Sequence, residues 1–531
     1  MDFKSEYIKY KNKYLNSKKK QRKEDTIQIH NKKSEMKNYD YIIIGAGSAG
    51  AVMAARLSEN KNLNILLIEA GKNFMPDKYP KDLADCGIVG TYKYDWGYKS
   101  TPGYIKQSID IPRAKVIGGC SAHNACVALR AQPFDFDRWR KKGIKNWNYD
   151  DVLKTYKFME TSNIHNKWHG NSGPFPSIQP NLGDLNDLDV LFIKSAMNNG
   201  YDYISDFNND KYRGVGPTVL NVINGKRQNT GMVYLTNDVR LRHNLTIKSE
   251  TLVDRIIIKK RRAKIVVLSD GNQISSTKEI ILSAGAIGSP AILMRSGIGP
   301  INKLNELNIP LVKDYPVGKT LQEQPLYFKS FPLKTSYHNK NLNQTAKTLL
   351  RTNSLDDTFD LNIICDFTYT SKNKIYLNMG VALMAPDSIG EINLKSKNPH
   401  DKPIIDLNLL AMKRDRDRML KGIKIAYQIA NTKPLKNIID FDNIEFDIND
   451  EDRLLKDIKD NVDGFGHLSC SVPMGVIVDE FGLVKNINGL RVVDASIFPE
   501  MIASTPNATI IMMAEYISKL ILNNYKKKGF A

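Results

Sequence analysis

Three consecutive isoleucines, Ile42, Ile43 and Ile44, open the most regular pattern in the chain. A short apolar run of this kind predicts a strand buried on both faces, as in parallel sheets. Glycines then fall at Gly45, Gly47 and Gly50, and the residues from Ala49 to Leu57 predict a helix. Leu63 to Ile68 predicts a second buried strand, ending at Glu69. Strand, glycine turn, helix, strand and terminal acid together form a dinucleotide-binding unit. Gly45 suits the tight turn, Gly47 the close approach of a pyrophosphate, and Gly50 the packing of helix on strand. Ser48 lies where the helix begins, so it is a candidate cofactor contact. The helix N-terminus directs its N–H groups and positive dipole end at phosphate. Glu69, 19 residues beyond Gly50, is placed to accept ribose hydroxyl protons. The pattern does not separate FAD from NAD, because both use it.

Two further stretches carry small residues where chain and ligand would run close. Pro102–Asn124 reads as loop, and Gly118-Gly119 within it suits a backbone pressed against a flat ring. Glu279–Ser283 predicts a strand, followed by Ala284-Gly285-Ala286-Ile287-Gly288-Ser289-Pro290 and a helix over Ala291–Arg295. Ser296-Gly297-Ile298-Gly299-Pro300 ends it. No apolar run reaches the roughly 18 residues that a membrane span needs. The N-terminus shows no apolar signal core, and Asp2, Glu6, Glu24 and Asp25 argue against a transit peptide. The expectation is a cytoplasmic protein by default.

Composition bounds the rest. A chain of 531 residues exceeds one hydrophobic core, so two domains are expected. With 41% hydrophobic and 25% charged residues, it has the make-up of a soluble globular protein. Cys86, Cys120, Cys126, Cys365 and Cys470 are scattered and odd in number, giving neither a disulfide framework nor a zinc spacing. No metal site is expected. Net charge is +20. Residues 1–37 read as a basic tail, with Phe3, Tyr7, Tyr10 and Tyr14 at near-helical spacing, and 525–531 as a second one containing Lys526-Lys527-Lys528. Such a charge favours polyanions, nucleic acid or an anionic surface. The alternative is solubility together with a codon bias. Abundant Lys, Asn and Ile suit an AT-rich genome, such as that of a giant DNA virus, and a virion is then a further location.

Taken together, the blocks resemble the glucose–methanol–choline (GMC) family of flavoprotein oxidoreductases. The dinucleotide block lies near the N-terminus, and the Gly118-Gly119 block is similar to the family's first signature. Gly285 to Gly299 is similar to its second, including Ser289-Pro290 and Ser296-Gly297-Ile298-Gly299. A C-terminal block runs from His467 through Met474-Gly475 and Leu490-Arg491-Val492-Val493-Asp494-Ala495-Ser496 to Pro506-Asn507. The resemblance spans residues 38–524. It implies an α/β plus α+β protein: a Rossmann-like FAD-binding domain with a discontinuous antiparallel-sheet substrate domain. FAD-domain stretches are expected at 38–150, 215–315 and 463–524, and substrate-domain stretches at 151–214 and 316–462. By resemblance, Val253 offers its backbone to the adenine, and Asn124 lies beside the isoalloxazine. Asp494, Ala495 and Asn507 run along the pyrophosphate and ring.

The resemblance also implies chemistry. A base takes an alcohol's hydroxyl proton while flavin N5 takes the carbinol hydride. Histidine suits the first task, because its pKa lies near neutrality. His467 occupies the family's catalytic position. The usual partner, a second His or Asn, is replaced by Thr505, which offers one hydrogen bond and no base. Cys120, expected as a small buried thiol, His123 and Gln324 also depart from the family pattern. The implied function is FAD-dependent oxidation of an alcohol CH–OH group, with oxygen or a quinone-type acceptor. The alternative is a catalytically weak FAD-binding protein that coats or packages an anionic polymer.

Overall fold

The computed structural model describes residues 38–337, 348–355, 359–370, 374–444 and 446–527. The expected basic tail at 1–37 and residues 528–531 of the second lie outside them. Residues 525–527, expected to begin that second tail, instead complete the last helix, Pro506–Lys527.

A first sheet is built around Asn38–Ile44. This strand pairs in parallel with Ile65–Ile68 on one side and Gln273–Leu282 on the other. Leu245–Lys248 continues the parallel ladder beyond Ile65–Ile68, and Leu490–Val492 lies parallel to the end of Gln273–Leu282. The hairpin Val253–Lys259 and Arg262–Leu268 adds antiparallel strands to the start of Gln273–Leu282. Ile42, Ile43 and Ile44 are buried, because helices cover both faces of a parallel sheet. One covering helix is Ser48–Leu57. It is tied to the last helix by Arg56, whose Nε and Nη2 donate to the two carboxylate oxygens of Glu515 at 2.7 and 2.8 Å.

The helix expected at Ala291–Arg295 begins earlier, at Gly285, and carries Pro290 inside it. A proline there leaves the carbonyl four residues back without its helical donor. That carbonyl belongs to Ala286, and Ser471 Oγ donates to it at 2.7 Å. Asp494 Oδ2 accepts from Gly285 N at 2.9 Å and so holds the first turn. Both compensations come from distant segments, and local sequence reading could not supply them.

A second sheet of six antiparallel strands faces the first. Its order is Asp463–Gly464, Pro325–Pro332, Ile375–Leu383, Phe359–Tyr369, Thr348–Asn353 and Gly214–Pro217. Along Phe359–Tyr369 the side chains alternate. Leu361, Ile363, Cys365 and Phe367 join the main core. There Leu361 lies by Gly422 of the helix Lys413–Ala430. Asn362, Ile364 and Asp366 point the other way, into a cavity. Both edge strands of this sheet cross expected boundaries. Residues 215–217 and 463–464, assigned above to FAD-domain stretches, hydrogen-bond into the second sheet instead. No helix of the described residues is long and apolar enough to cross a membrane.

Candidate active site

The cavity between the two sheets has a volume of about 610 Å³. One wall is made by the two glycine turns. Gly118 N donates to Ala46 O at 2.8 Å, which locks the turns together. Gly45 and Gly119 have φ of +96° and +51°, in the left-handed region that favours glycine. A Cβ on Gly119 would lie 2.6 Å from Gly47 Cα, whereas a Cβ on Gly47 would meet only Gly119 Cα, at 3.8 Å. The Gly47 backbone is therefore open for a group to approach. Gly50 and Gly118 lie behind this wall. A Cβ on Gly50 would meet Gly45 O at 1.8 Å, and one on Gly118 would meet Asn229 Oδ1 at 2.7 Å.

Glu69 ends the second parallel strand at the edge of this wall. Its Oε2 accepts from Ala46 N at 2.9 Å and its Oε1 from Gly71 N at 2.8 Å. Burial pushes its carboxyl up to about 7, against the pull of those two N–H groups. Ser48 Oγ donates to Asn507 Oδ1 at 2.8 Å, joining the start of the first helix to the start of the last. Asp494 is engaged within the protein. Gly285 N and Ser289 Oγ donate to its Oδ2 at 2.9 and 2.6 Å, and Ser496 N and Oγ donate to its Oδ1 at 2.9 and 2.5 Å. Burial raises its pKa. Its carboxylate shapes the loop, and a ligand would meet the backbone that loop presents. Asn124 likewise spends its Oδ1 on Cys126 N at 3.0 Å.

These residues fit a flavin dinucleotide. Asn507 Nδ2 and Thr505 Oγ1 are buried at the cavity without protein partners. Gly47, the N-termini of the helices Ser48–Leu57 and Gly285–Arg295, and Glu69 line one continuous wall. Val253 and Ala495 line it as well.

His467 reaches the same cavity from the segment that follows Asp463–Gly464. Its ring lies 4.4 Å from that of Phe465, centroid to centroid. Its backbone N donates to Glu323 Oε1 at 2.8 Å, and its Nδ1 lies 2.6 Å from Gln324 Oε1. Burial, and secondly the Arg113 cation, push its pKa down to about 3. The imidazole is therefore neutral at ordinary pH. Burial also pushes the neighbouring Glu323 carboxyl up to about 7, with Arg113 opposing.

Of the catalytic and cofactor-binding positions expected from the sequence, all but Gly50 and Gly118 line the cavity; Gln324 lies behind His467. Sequence reasoning missed the cap side, where Leu326, Phe328, Leu349, Asn362, Ile364 and Asp366 close the space. Their alternation was the available signal, but which face of a strand meets a cavity depends on the other sheet. Cys120, expected as a small buried thiol, is partly buried at the cavity. Burial raises its pKa, but His123 and Arg113 outweigh that and hold the thiol down at about 6. Among the described residues no cluster of acids, histidines and cysteines could hold a metal ion.

A dinucleotide wall facing an antiparallel cap, with a neutral histidine between them, is the arrangement of a dinucleotide-dependent oxidoreductase. The N-terminal model of the GMC oxidoreductases matches residues 39–326, and the C-terminal model matches 386–514. The chain belongs to the GMC oxidoreductase family. It is 34% identical to an oxygen-dependent choline dehydrogenase of Ectopseudomonas mendocina, over 91% of this chain and 94% of that one. It is 30% identical to an oxygen-dependent choline dehydrogenase of Photobacterium profundum, over 92% and 93%. Among solved structures, pyridoxine 4-oxidase from Mesorbium loti superposes with a TM-score of 0.85 at 26% identity, covering 92% of this chain and 99% of that one. The protein is an FAD-dependent oxidoreductase acting on CH–OH donors.

Proposed function

We propose that the chain oxidises a small alcohol to a carbonyl compound, with His467 as the base. The observation that carries this is His467 itself. It is neutral, it lies in the cavity bounded by the glycine wall, and its Nδ1 is already taken by Gln324. Only Nε2 is left for a substrate hydroxyl. Bound FAD supplies a two-electron acceptor for the carbinol hydride. The protein's part is to orient the alcohol, receive the hydroxyl proton at His467 Nε2 and keep water out. Thr505 Oγ1, buried and without a partner, offers a second hydrogen bond to the substrate oxygen.

The cap face sets the substrate class. Leu326, Leu349 and Ile364 are apolar, while Asn362 and Asp366 add an amide and a carboxylate. Asn362 Oδ1 is buried with no protein donor. An alcohol carrying an amine or ammonium group fits that combination. The relatives named as choline dehydrogenases point the same way, and their oxygen dependence makes oxygen the first acceptor to test. Purified holoenzyme is mixed with amino alcohols, aryl alcohols, sugars and simple alcohols, and oxygen uptake and peroxide are recorded. Peroxide formed with amino alcohols supports the reading. Flavin reduced by alcohol but reoxidised only by quinone dyes would overturn the choice of oxygen.

A further inference from the structure

We propose that Gln324 is the positioning residue that fixes the ring tautomer of His467, so that Nε2 presents its lone pair to the substrate. The inference rests on the reading of His467 as the base.

Gln324 is fully buried. Its Nε2 donates to Met384 O at 2.7 Å and to Ile502 O at 2.9 Å. Carbonyl oxygens only accept, so the amide atom facing them is the NH2 group. A flipped amide would set its oxygen against two carbonyls and leave all three unsatisfied in a dry site. Gln324 Oε1 is thus held as an acceptor, 2.6 Å from His467 Nδ1. Nδ1 must then carry the hydrogen, and in a neutral imidazole Nε2 is left unprotonated.

The backbone around Gln324 is tied equally firmly. Its N donates to Glu323 Oε1 at 2.8 Å, and its O accepts from Phe465 N at 2.8 Å. Through Ile502 O the same side chain braces the loop that carries Thr505. One amide therefore sets the base and steadies the segment bearing its partner. The charged and titratable groups nearest the ring are Arg113 and Glu323, with Asp463 beside Glu323. None of them accepts from Nδ1, so this role falls to Gln324 alone among the described residues.

The test reads the ring directly. Histidine in the FAD-loaded enzyme is labelled with ¹⁵N, and His467 is assigned by comparison with His467→Ala. The expected spectrum shows a protonated, pyrrole-type Nδ1 and a pyridine-type Nε2. Gln324→Leu removes the acceptor, so the signature should be lost and flavin reduction should slow on the order of 10²-fold, with FAD content unchanged. A pyrrole-type Nε2 in the parent enzyme overturns the proposal, whatever becomes of the Gln324 variant. A Gln324→Leu enzyme with parental signature and rate also overturns it. The tautomer is read without turnover, so a failure of His467 as base, seen as parental flavin reduction by His467→Ala, is distinguishable.

Discussion

Ser48 donates its hydroxyl proton to Asn507 at 2.8 Å, linking residues 459 positions apart at the mouth of two helices. The same Asn507 leaves its Nδ2 buried and unpartnered at the cavity. One side chain thus closes the glycine turn onto the last helix and leaves a donor free at the cavity.

Asn507→Ala should weaken FAD binding about fivefold, corresponding to roughly 1 kcal/mol for one lost hydrogen bond. It should also lower the melting temperature slightly, because the Ser48 hydroxyl loses its acceptor. Fluorimetric titration of the apoprotein with FAD checks the first effect. Unchanged affinity would show that the amide serves the fold alone.

Gly119→Ala should be far more damaging. The left-handed backbone at φ +51° costs a residue with a side chain roughly 1–2 kcal/mol. Its new methyl would also press on Gly47 Cα, an atom of backbone. The expected outcome is protein with a lowered melting point and little bound flavin, read from the ratio of flavin to protein absorbance. Full flavin content would mean that the two turns have room to part.

Glu69 gives a pH signature. Its carboxyl, held up to about 7 by burial, binds a proton more tightly in the folded apoprotein than in the unfolded chain, whose value is near 4.5. Its contribution to apoprotein stability is therefore complete below about 4.5 and is lost as the pH rises through about 7. If ribose hydroxyls donate to the ionised carboxylate, FAD affinity should run the other way and fall as the pH drops below about 7. Glu69→Gln should flatten that dependence. A pH-independent FAD affinity in the parent would separate Glu69 from the ribose.

The glycine wall of the cavity was legible in the sequence because its constraints are local. Ile42–Ile44, the glycines and Glu69 lie within one short segment, and strand, turn and acid each follow from neighbouring residues. The cap was not legible to the same degree. Gly214–Pro217 joins the second sheet by pairing with residues 348–351, more than 130 positions away. The early start of the helix at Gly285 depends on Asp494 and Ser471. Gln324 was visible only as a departure from a family pattern. Its meaning rests on the carbonyls of Met384 and Ile502, 60 and 178 positions along the chain.

Thr505→Val keeps the shape and removes the hydroxyl. If Thr505 Oγ1 steadies the substrate oxygen, flavin reduction should fall about three- to tenfold, the scale of one neutral hydrogen bond. Thr505→Asn should restore or exceed the parental rate, and FAD content should stay constant in both. Rapid-mixing absorbance checks this. A Val variant as fast as the parent would remove Thr505 from the chemistry.

Anaerobic reduction of the bound flavin tests the central claim most directly. FAD-loaded parent enzyme and His467→Ala are each mixed with small alcohols in the absence of oxygen, and loss of the oxidised-flavin absorbance is followed. The parent should bleach with at least one alcohol. His467→Ala should retain its FAD and bleach about 10²–10⁴-fold more slowly. A parent that no alcohol bleaches, or a His467→Ala enzyme that bleaches as fast as the parent, would contradict the account.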